Sequence, residues 1–255
     1  MIGAAAAPAS FPVGWYGKIP VTGDFIARRL ATAFSEPWDR WLQGVMDGSR
    51  ERLGARWRDT FLSMPAWRFI LAPGMVTPNA WAGLMVPSVD AVGRYFPLTV
   101  AVSLPSESLD VVATLLAAEA WFDGIESIAL SAIAPGADTS AIDAAFAARP
   151  FGPEWLHYPQ ASDNTVPIRG AKAQMLWMAL EARAMDKKPS PGLEALAARI
   201  PEPYAAWLAE ESEVFGRCLL LCEILPPAEQ YCAMMDGRWI EHGWGRRDVR
   251  GAAGA

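Results

Sequence analysis

Residues 67–104 read WRFILAPGMVTPNAWAGLMVPSVDAVGRYFPLTVAVSL, and this stretch decides the predicted fold. It contains three short apolar runs, Trp67–Leu71, Trp81–Val86 and Leu98–Leu104, with turn-forming residues between them. Apolar runs bounded by Gly, Pro and Asn are typical of β-strands. Because connections this short cannot hold the crossover that a parallel pair needs, we expect antiparallel pairing. In the last run, apolar residues alternate with small or polar ones, which predicts a sheet with one well-buried face.

Helical patterns flank these strands along the chain. The clearest begins at Ser35-Glu36-Pro37, where Ser can cap the helix and the next two residues suit its first turn. Apolar side chains then recur on one helical face from Trp38 to Leu53. Further helices are predicted at 55–63, 109–122 with an end near Gly124, 127–133, 138–148, 171–185 and 227–235, and a second strand pair at 204–209 and 217–225. The predicted class is α/β (α+β): a mostly antiparallel mixed sheet flanked by helices, in a layered α-β-α arrangement.

A single domain is expected over residues 13–245. Residues 1–12 are rich in Ala and Pro and predict a flexible N-terminus, and residues 246–255 predict a flexible tail. The best internal linker is 187–192, which contains two prolines and is interpreted as a surface loop of the same domain. A chain of 255 residues can bury a sizeable core without disulfides or metals.

The charge and hydropathy patterns argue against nucleic acid and membrane as partners. The chain carries 22 Lys and Arg against 28 Asp and Glu, and its basic residues are scattered along the sequence. Nucleic acid binding needs a concentrated basic face. The longest uncharged stretch, Phe69–Val89, is long enough for a membrane span, but its prolines interrupt any continuous helix. With no export signal evident, we expect a cytoplasmic protein without membrane insertion.

The familiar motifs of nucleotide, metal and nucleophile chemistry do not occur in the sequence. The early glycines do not match a dinucleotide-binding loop, and no Gly-x-Ser-x-Gly elbow or zinc-type spacing is present. Cys218 and Cys222 stand four apart in an apolar strand and are interpreted as buried thiols. We therefore expect no enzyme activity, no cofactor and no metal. One alternative stays open, a hydrolase that uses Asp24, Asp90 and His242 across a cleft.

Two loops, residues 14–25 and 87–98, carry the candidate binding residues. Both combine Gly, Pro, charged and aromatic residues. In one interpretation this composition only builds turns, and Asp24 or Asp90 accepts hydrogen bonds from the backbone or from Arg94. In the other, the loops form a rigid surface for a protein partner. The candidate contact residues are Trp15, Tyr16, Lys18, Asp24, Phe25, Arg28, Asp90, Arg94, Tyr95 and Phe96.

The same segments resemble the TagF family of type VI secretion-associated proteins. Several separate blocks agree with that family in the same order along the chain. The blocks are Trp15–Pro20, Gly23–Phe25, Trp38–Leu42, Pro65–Phe69, Trp81–Gly83, Pro87–Asp90 and Gly93–Thr99, with Leu225-Pro226 and Met235–Trp239 near the C-terminus. The middle of the chain, roughly 106–203, contributes little to the resemblance.

The resemblance implies a cytoplasmic accessory protein of a bacterial secretion machine. Members of the family are understood as post-translational repressors of type VI secretion that bind the forkhead-associated scaffold protein of the system. Some are fused to a PP2C-type phosphatase, for which this sequence lacks the length, so such a phosphatase is a possible separate partner. A structural subunit of the secretion apparatus is the remaining alternative.

Overall fold

The computed structural model describes residues 10–159, 175–180, 191–197, 200 and 202–246. Its strands are β1 (Gly14–Gly17), β2 (Ile26–Arg28), β3 (Trp67–Leu71), β4 (Trp81–Val86), β5 (Leu98–Ser103), β6 (Met175–Ala179), β7 (Ala205–Ala209), β8 (Cys218–Cys222) and β9 (Gly245–Arg246). Its α-helices are α1 (Thr32–Leu53), α2 (Trp57–Leu62), α3 (Val111–Ala117), α4 (Glu119–Ala132), α5 (Thr139–Ala147), α6 (Pro191–Ala197) and α7 (Ala228–Asp236).

The nine strands of these residues form one sheet in the order β2-β1-β5-β4-β3-β7-β8-β6-β9. Neighbouring strands are antiparallel except for β6 and β9, which run parallel. The three strands predicted between residues 67 and 104, their antiparallel pairing and the later pair β7–β8 are confirmed. The mostly antiparallel mixed sheet and the α/β class are confirmed with them.

Helices cover both faces of the sheet. On one face, α3, α4 and α5 pack over even-numbered β5 residues such as Val100 and Val102. On the other face, α1, α2 and α7 pack over a core that includes Ala101. The prediction of a sheet with only one well-buried face is therefore wrong, whereas the layered α-β-α arrangement is confirmed. The small odd-numbered residues of β5 make room for bulky helix side chains, and the Trp38 indole donates to Thr99 Oγ1 at 2.9 Å.

The longest helix, α1, starts earlier than its sequence pattern indicates. It begins at Thr32, and Pro37 lies inside it. The N-cap residue of α1 is therefore Ala31 and not Ser35, and Ala31 makes no side-chain capping hydrogen bond. The extra turn brings Phe34 into the core, where its ring lies 4.0 Å from that of Trp81. Burial of a phenylalanine ring outweighs the missing cap, which is worth only about 1 kcal/mol.

The helical region after β5 breaks at Ala118 and not near Gly124. Gly124 lies inside α4, where a Cβ atom would come within 3.1 Å of Arg149 Nη1. Gly124 therefore does not end the helix. Asp138 caps the short α5, because its carboxylate accepts the backbone N–H of Ser140 at 2.8 Å.

The helix predicted at 171–185 is wrong where the structure describes it. Residues 175–179 form β6, which pairs with β8 over five positions and with β9 over two. Ala, Leu and Met favour a helix by only tenths of a kcal/mol per residue, so pairing with two strands and burial of Met178 override that preference. Residues 171–174 and 181–185 lie outside the described residues.

The segments predicted as a flexible N-terminus and a flexible C-terminal tail each include a residue that the structure places in the fold. Phe11 is buried and exchanges two backbone hydrogen bonds with Phe151, at 2.8 and 2.9 Å. Arg246 belongs to β9. Residues 1–9 and 247–255, and 187–190 of the predicted linker, lie outside the described residues.

Candidate functional site

The two candidate loops meet at one end of the sheet, which we call the loop end. Loop 1 (residues 18–25) follows β1, and loop 2 (residues 87–97) connects β4 to β5. The register places the end of β1, the end of β4 and the start of β5 side by side. The backbone N–H of Ala91 donates to the Thr22 carbonyl at 2.9 Å, and Arg94 donates to the Gly23 carbonyl. The loops therefore form one continuous surface.

The carboxylate of Asp90 bonds to groups within loop 2 and also to Lys18 of loop 1. Its Oδ2 atom lies 2.7 Å from Arg94 Nε and 3.0 Å from Lys18 Nζ. Its Oδ1 atom accepts the backbone N–H groups of Val92 and Arg94. The Asp90 side chain is wholly buried, and that of Lys18 is 7% exposed. This is a buried ion pair that is well supplied with hydrogen bonds.

The pKa of Asp90 lies well below its ordinary value. Burial alone raises the pKa of a carboxyl group because it penalises the charged form. Here the hydrogen bonds from the Arg94 backbone, the Lys18 ammonium, the Arg94 side chain and the Val92 backbone outweigh that effect and lower the pKa. Asp90 is therefore ionised throughout the physiological pH range.

An aromatic cluster holds loop 1 against the sheet and α1. The Tyr16 and Phe25 rings stack at 5.5 Å, and Phe96 meets Phe25 edge-on at 4.9 Å. The Tyr16 hydroxyl donates to the Asp39 carboxylate at 2.6 Å, and burial together with this bond raises the pKa of Tyr16. The Phe25 ring stays 40% exposed, with Lys18 Nζ 4.9 Å from its centroid. Phe25 is thus a rigidly held aromatic side chain at the surface.

The candidate residues fall into three groups by exposure. Asp24, Phe25, Arg28 and Arg94 are exposed, and Tyr16 and Tyr95 are half-buried. Trp15, Lys18, Asp90 and Phe96 are buried. The exposed group can contact a partner directly, whereas the buried group supports the loops from within. Tyr95 packs its ring edge-on against Trp57 of α2, 5.6 Å away.

Trp15 is part of a polar junction that sequence reasoning missed. Its indole N–H donates to Asp143 Oδ1 at 2.8 Å, and Arg29 forms an ion pair with the same carboxylate. Arg29 has φ of +55°, a conformation that a non-glycine residue rarely adopts. Its Nε atom donates to the Val13 carbonyl at 2.8 Å, so side-chain bonds hold the strained backbone. Since Asp143 is over a hundred residues away, local sequence carried no signal for this junction.

A shallow apolar groove of about 270 Å³ opens beside the loops. Pro20 of loop 1, Leu62 at the end of α2, Val89 of loop 2 and Leu130 of α4 contribute to its walls. Leu62 and Leu130 are 44% and 51% exposed. Large apolar side chains exposed together in a concave site mark an interaction surface more often than single ones do. The groove is another feature that the sequence did not indicate, because its walls come from four separate segments.

The residues of the hydrolase alternative do not converge. Asp90 is engaged by Lys18 and Arg94, and the Asp24 carboxylate accepts the backbone N–H of Phe25 at 2.8 Å. His242 binds Asp236 at 3.1 Å and precedes β9, at the other edge of the sheet. Seven strand spacings separate β1 from β9, which is roughly 30 Å. This arrangement leaves no common substrate position for the three groups.

The interpretation of Cys218 and Cys222 as buried thiols is confirmed. Both side chains are buried in β8 and form no disulfide. Burial raises the pKa of Cys218 to about 12, and it raises the pKa of Cys222 further. Across the described ranges, no group of three or more His, Cys, Asp or Glu side chains could hold a metal ion. In those same ranges, no helix has the length and apolar character to cross a membrane.

Two comparisons with known proteins found a match. The family model described as TagF N-terminal domain, type VI secretion system-associated, matches residues 14–148, which include both loops. A crystal structure of PA0076 from Pseudomonas aeruginosa PAO1 at 2.05 Å resolution is similar, with 34% sequence identity and a TM-score of 0.70. The match covers 89% of this chain and 94% of that one. No curated protein matches the chain significantly.

Proposed function

Because the chain belongs to the TagF family of type VI secretion system-associated proteins, we propose that it is a non-enzymatic cytoplasmic regulator of that system. In this proposal it represses assembly after translation, by binding the forkhead-associated scaffold protein. A PP2C-type phosphatase is the second partner that the proposal includes. The protein acts by occupancy: it holds the scaffold until it is released, and no covalent bond is made or broken.

The observation that supports this mode of action is the locking of loop 1 to loop 2. The buried Lys18–Asp90 pair and the Arg94 contacts fix both backbones before any partner arrives. A surface that is already ordered loses little conformational entropy on binding, so more of the contact energy appears as affinity. Phe25 then serves as an aromatic anchor, and Arg28 and Arg94 set orientation more than affinity.

The test is binding of the purified chain to the full-length scaffold protein, measured by calorimetry. Phe25→Ala removes the exposed anchor and is expected to weaken binding about tenfold, equivalent to about 1.4 kcal/mol. Arg28→Ala is a milder change, because Arg28 is exposed and its guanidinium donates to the carbonyl of the adjacent Ala27. We expect it to weaken binding about threefold at low salt and less at high salt.

Ile240→Ala is the matched control. Ile240 is 64% exposed and lies shortly before β9, at the far edge of the sheet from loop 1. We expect this variant to bind like the wild type. Equal binding by Phe25→Ala, Arg28→Ala and wild type, with unchanged circular dichroism, would reject the loops as the interface. No binding by the wild type would reject the scaffold as the partner.

A further inference from the structure

We propose that the apolar groove beside the loops, together with the arginines around it, binds an acidic amphipathic segment of a protein partner. This inference deepens the proposed function and rests on it, because the scaffold protein is where such a segment is to be sought. Two features carry it: the aliphatic walls of the groove and the exposed arginines next to it.

The groove is suited to apolar side chains. Its walls are mainly aliphatic, and its volume of about 270 Å³ is below the usual range for small-molecule and cofactor sites. Such a groove can take the apolar face of a polypeptide segment.

Three arginines within residues 50–58, together with Arg94 of loop 2, lie on segments next to the groove or the loops. Arg58 and Leu62 are four residues apart on α2, so Arg58 lies on the same helix face as the groove wall. Arg50 places its guanidinium 4.3 Å from the centre of the Trp57 ring, and Trp57 contacts Tyr95 of loop 2. Arg56 lies in the short turn between α1 and α2. These side chains and Arg94 form what we call the arginine rim.

Three members of the arginine rim are available to a partner, whereas Arg94 is held by Asp90 and the Gly23 carbonyl. No Asp or Glu in the described part of the chain forms an ion pair with Arg50, Arg56 or Arg58. All three residues are exposed. The negative end of the α1 dipole accounts for a cation at Arg50, but Arg56 and Arg58 lie beyond that helix. Their charges are therefore free to pair with acidic groups of a partner.

The charge of the loop end selects the kind of partner. Residues 18–29, 50–63 and 87–97 together contain eight Lys and Arg against four Asp and Glu. Adding α4, which also walls the groove and carries three acids and no base, gives eight against seven, whereas the whole chain has a net charge of −6. The surroundings of the groove therefore lack the negative excess of the rest of the chain, and the arginine rim supplies exposed positive charge there. Complementarity favours an acidic partner segment, and the aliphatic groove requires that this segment also present apolar side chains. The net negative charge opposes binding to nucleic acid or to an anionic membrane.

Binding of a short synthetic peptide tests the inference directly. The probe is a fluorescent helix-forming peptide with Leu at i, i+3, i+4 and i+7 and Glu on its other face, and the comparison peptide carries Lys in place of Glu. We expect the acidic peptide to bind and the basic one not to bind. Arg58→Glu is expected to weaken the acidic peptide about fivefold at low salt, and Leu62→Asp about tenfold at any salt.

Matched controls separate local effects from net charge and general surface change. Arg149→Glu alters the net charge as Arg58→Glu does, and Arg149 is exposed near the Phe11–Phe151 contact at the opposite end of the sheet. Ile224→Asp matches Leu62→Asp, since the two side chains are 47% and 44% exposed. Both controls are expected to bind the acidic peptide within about twofold of wild type.

The same variants assayed against the full-length scaffold protein distinguish the two proposals. If the scaffold binds but Arg58→Glu and Leu62→Asp leave its affinity unchanged, the groove inference fails and the proposed function stands. If the wild type does not bind the scaffold but binds the acidic peptide through Arg58 and Leu62, the proposed partner is wrong and the inference stands. Binding of duplex DNA or anionic vesicles in place of the acidic peptide would overturn the inference.

Discussion

Replacing Asp90 by alanine is expected to lower the free energy of unfolding by about 3–5 kcal/mol, because it leaves the buried Lys18 ammonium without its counter-charge. The change also removes the acceptor for two backbone N–H groups of loop 2. Urea denaturation followed by tryptophan fluorescence measures the loss. The loop surface is expected to loosen as well, so the affinity for the scaffold protein falls with the stability.

A double variant identifies the cause of that loss. If the unpaired charge dominates, Lys18→Met combined with Asp90→Ala should be more stable than Asp90→Ala alone, since it removes the buried cation. Arg94→Ala is the comparison within the same network: its side chain is 55% exposed, and we expect a loss of about 1 kcal/mol or less. A stability of Asp90→Ala within about 1 kcal/mol of wild type would contradict the assigned role.

The pH dependence of this contribution has a definite sign. The folded-state pKa of Asp90 is lowered, so its contribution is complete above its unfolded pKa of about 3.9 and is lost as the pH falls toward the folded-state value. The stability difference between wild type and Asp90→Asn should therefore be constant above about pH 5 and shrink below about pH 4. A difference that grows on acidification would contradict this explanation.

Replacing Trp38 by alanine is the second large effect, an expected loss of about 3–5 kcal/mol. Trp38 is fully buried on the face of α1 that packs against the sheet. Its ring centre lies 4.7 Å from that of Trp41, 5.0 Å from that of Phe69 and 5.3 Å from that of Phe34. Its removal leaves a cavity in the core between α1 and the sheet and deprives the Thr99 hydroxyl of a donor. Denaturant unfolding gives the loss, and the near-ultraviolet circular dichroism spectrum should lose intensity.

Two controls limit the interpretation of the Trp38 variant. Trp38→Phe retains a ring but not the indole N–H, so we expect a loss smaller than that of Trp38→Ala. Trp155→Ala removes a half-buried tryptophan whose ring contacts Phe151, 5.2 Å away, and should cost less than Trp38→Ala. Equal losses at positions 38 and 155 would show that burial of Trp38 is not the source of its contribution.

The strands at residues 67–104 could be predicted because their signals are local. Short turns of Gly, Pro and Asn force neighbouring runs to pair antiparallel, whatever the rest of the chain does. β6 could not be predicted in this way, because its partners β8 and β9 lie about 40 and 70 residues further along the chain. The same holds for the start of α1, which the stacking of Phe34 on Trp81 decides.

The candidate site was predictable only in part. The Asp90–Arg94 contact was one of two alternatives that the sequence left open, and it is a local i,i+4 pair. Sequence reasoning could not tell that Trp15 and Phe96 are buried while Phe25 is exposed, since all three are aromatic residues in similar loops. The groove gave no signal, because its residues are brought together by packing of α2, α4 and both loops.

The amino-acid sequence alone was enough to predict the antiparallel strands and the mixed α/β class, because turn residues and strand patterns act over a few residues. It was also enough to indicate the family, because the order of short motifs along the chain is a property of the sequence itself. Which charged side chains are buried was decided only by the tertiary packing. Arg68 illustrates the difference: within WRFIL it reads as a charge in an apolar strand, yet its buried guanidinium bonds Asp123, Glu126 and Glu210. Those partners lie 55 to 142 residues away, and electrostatic pairing depends on distance in space, which chain order does not contain.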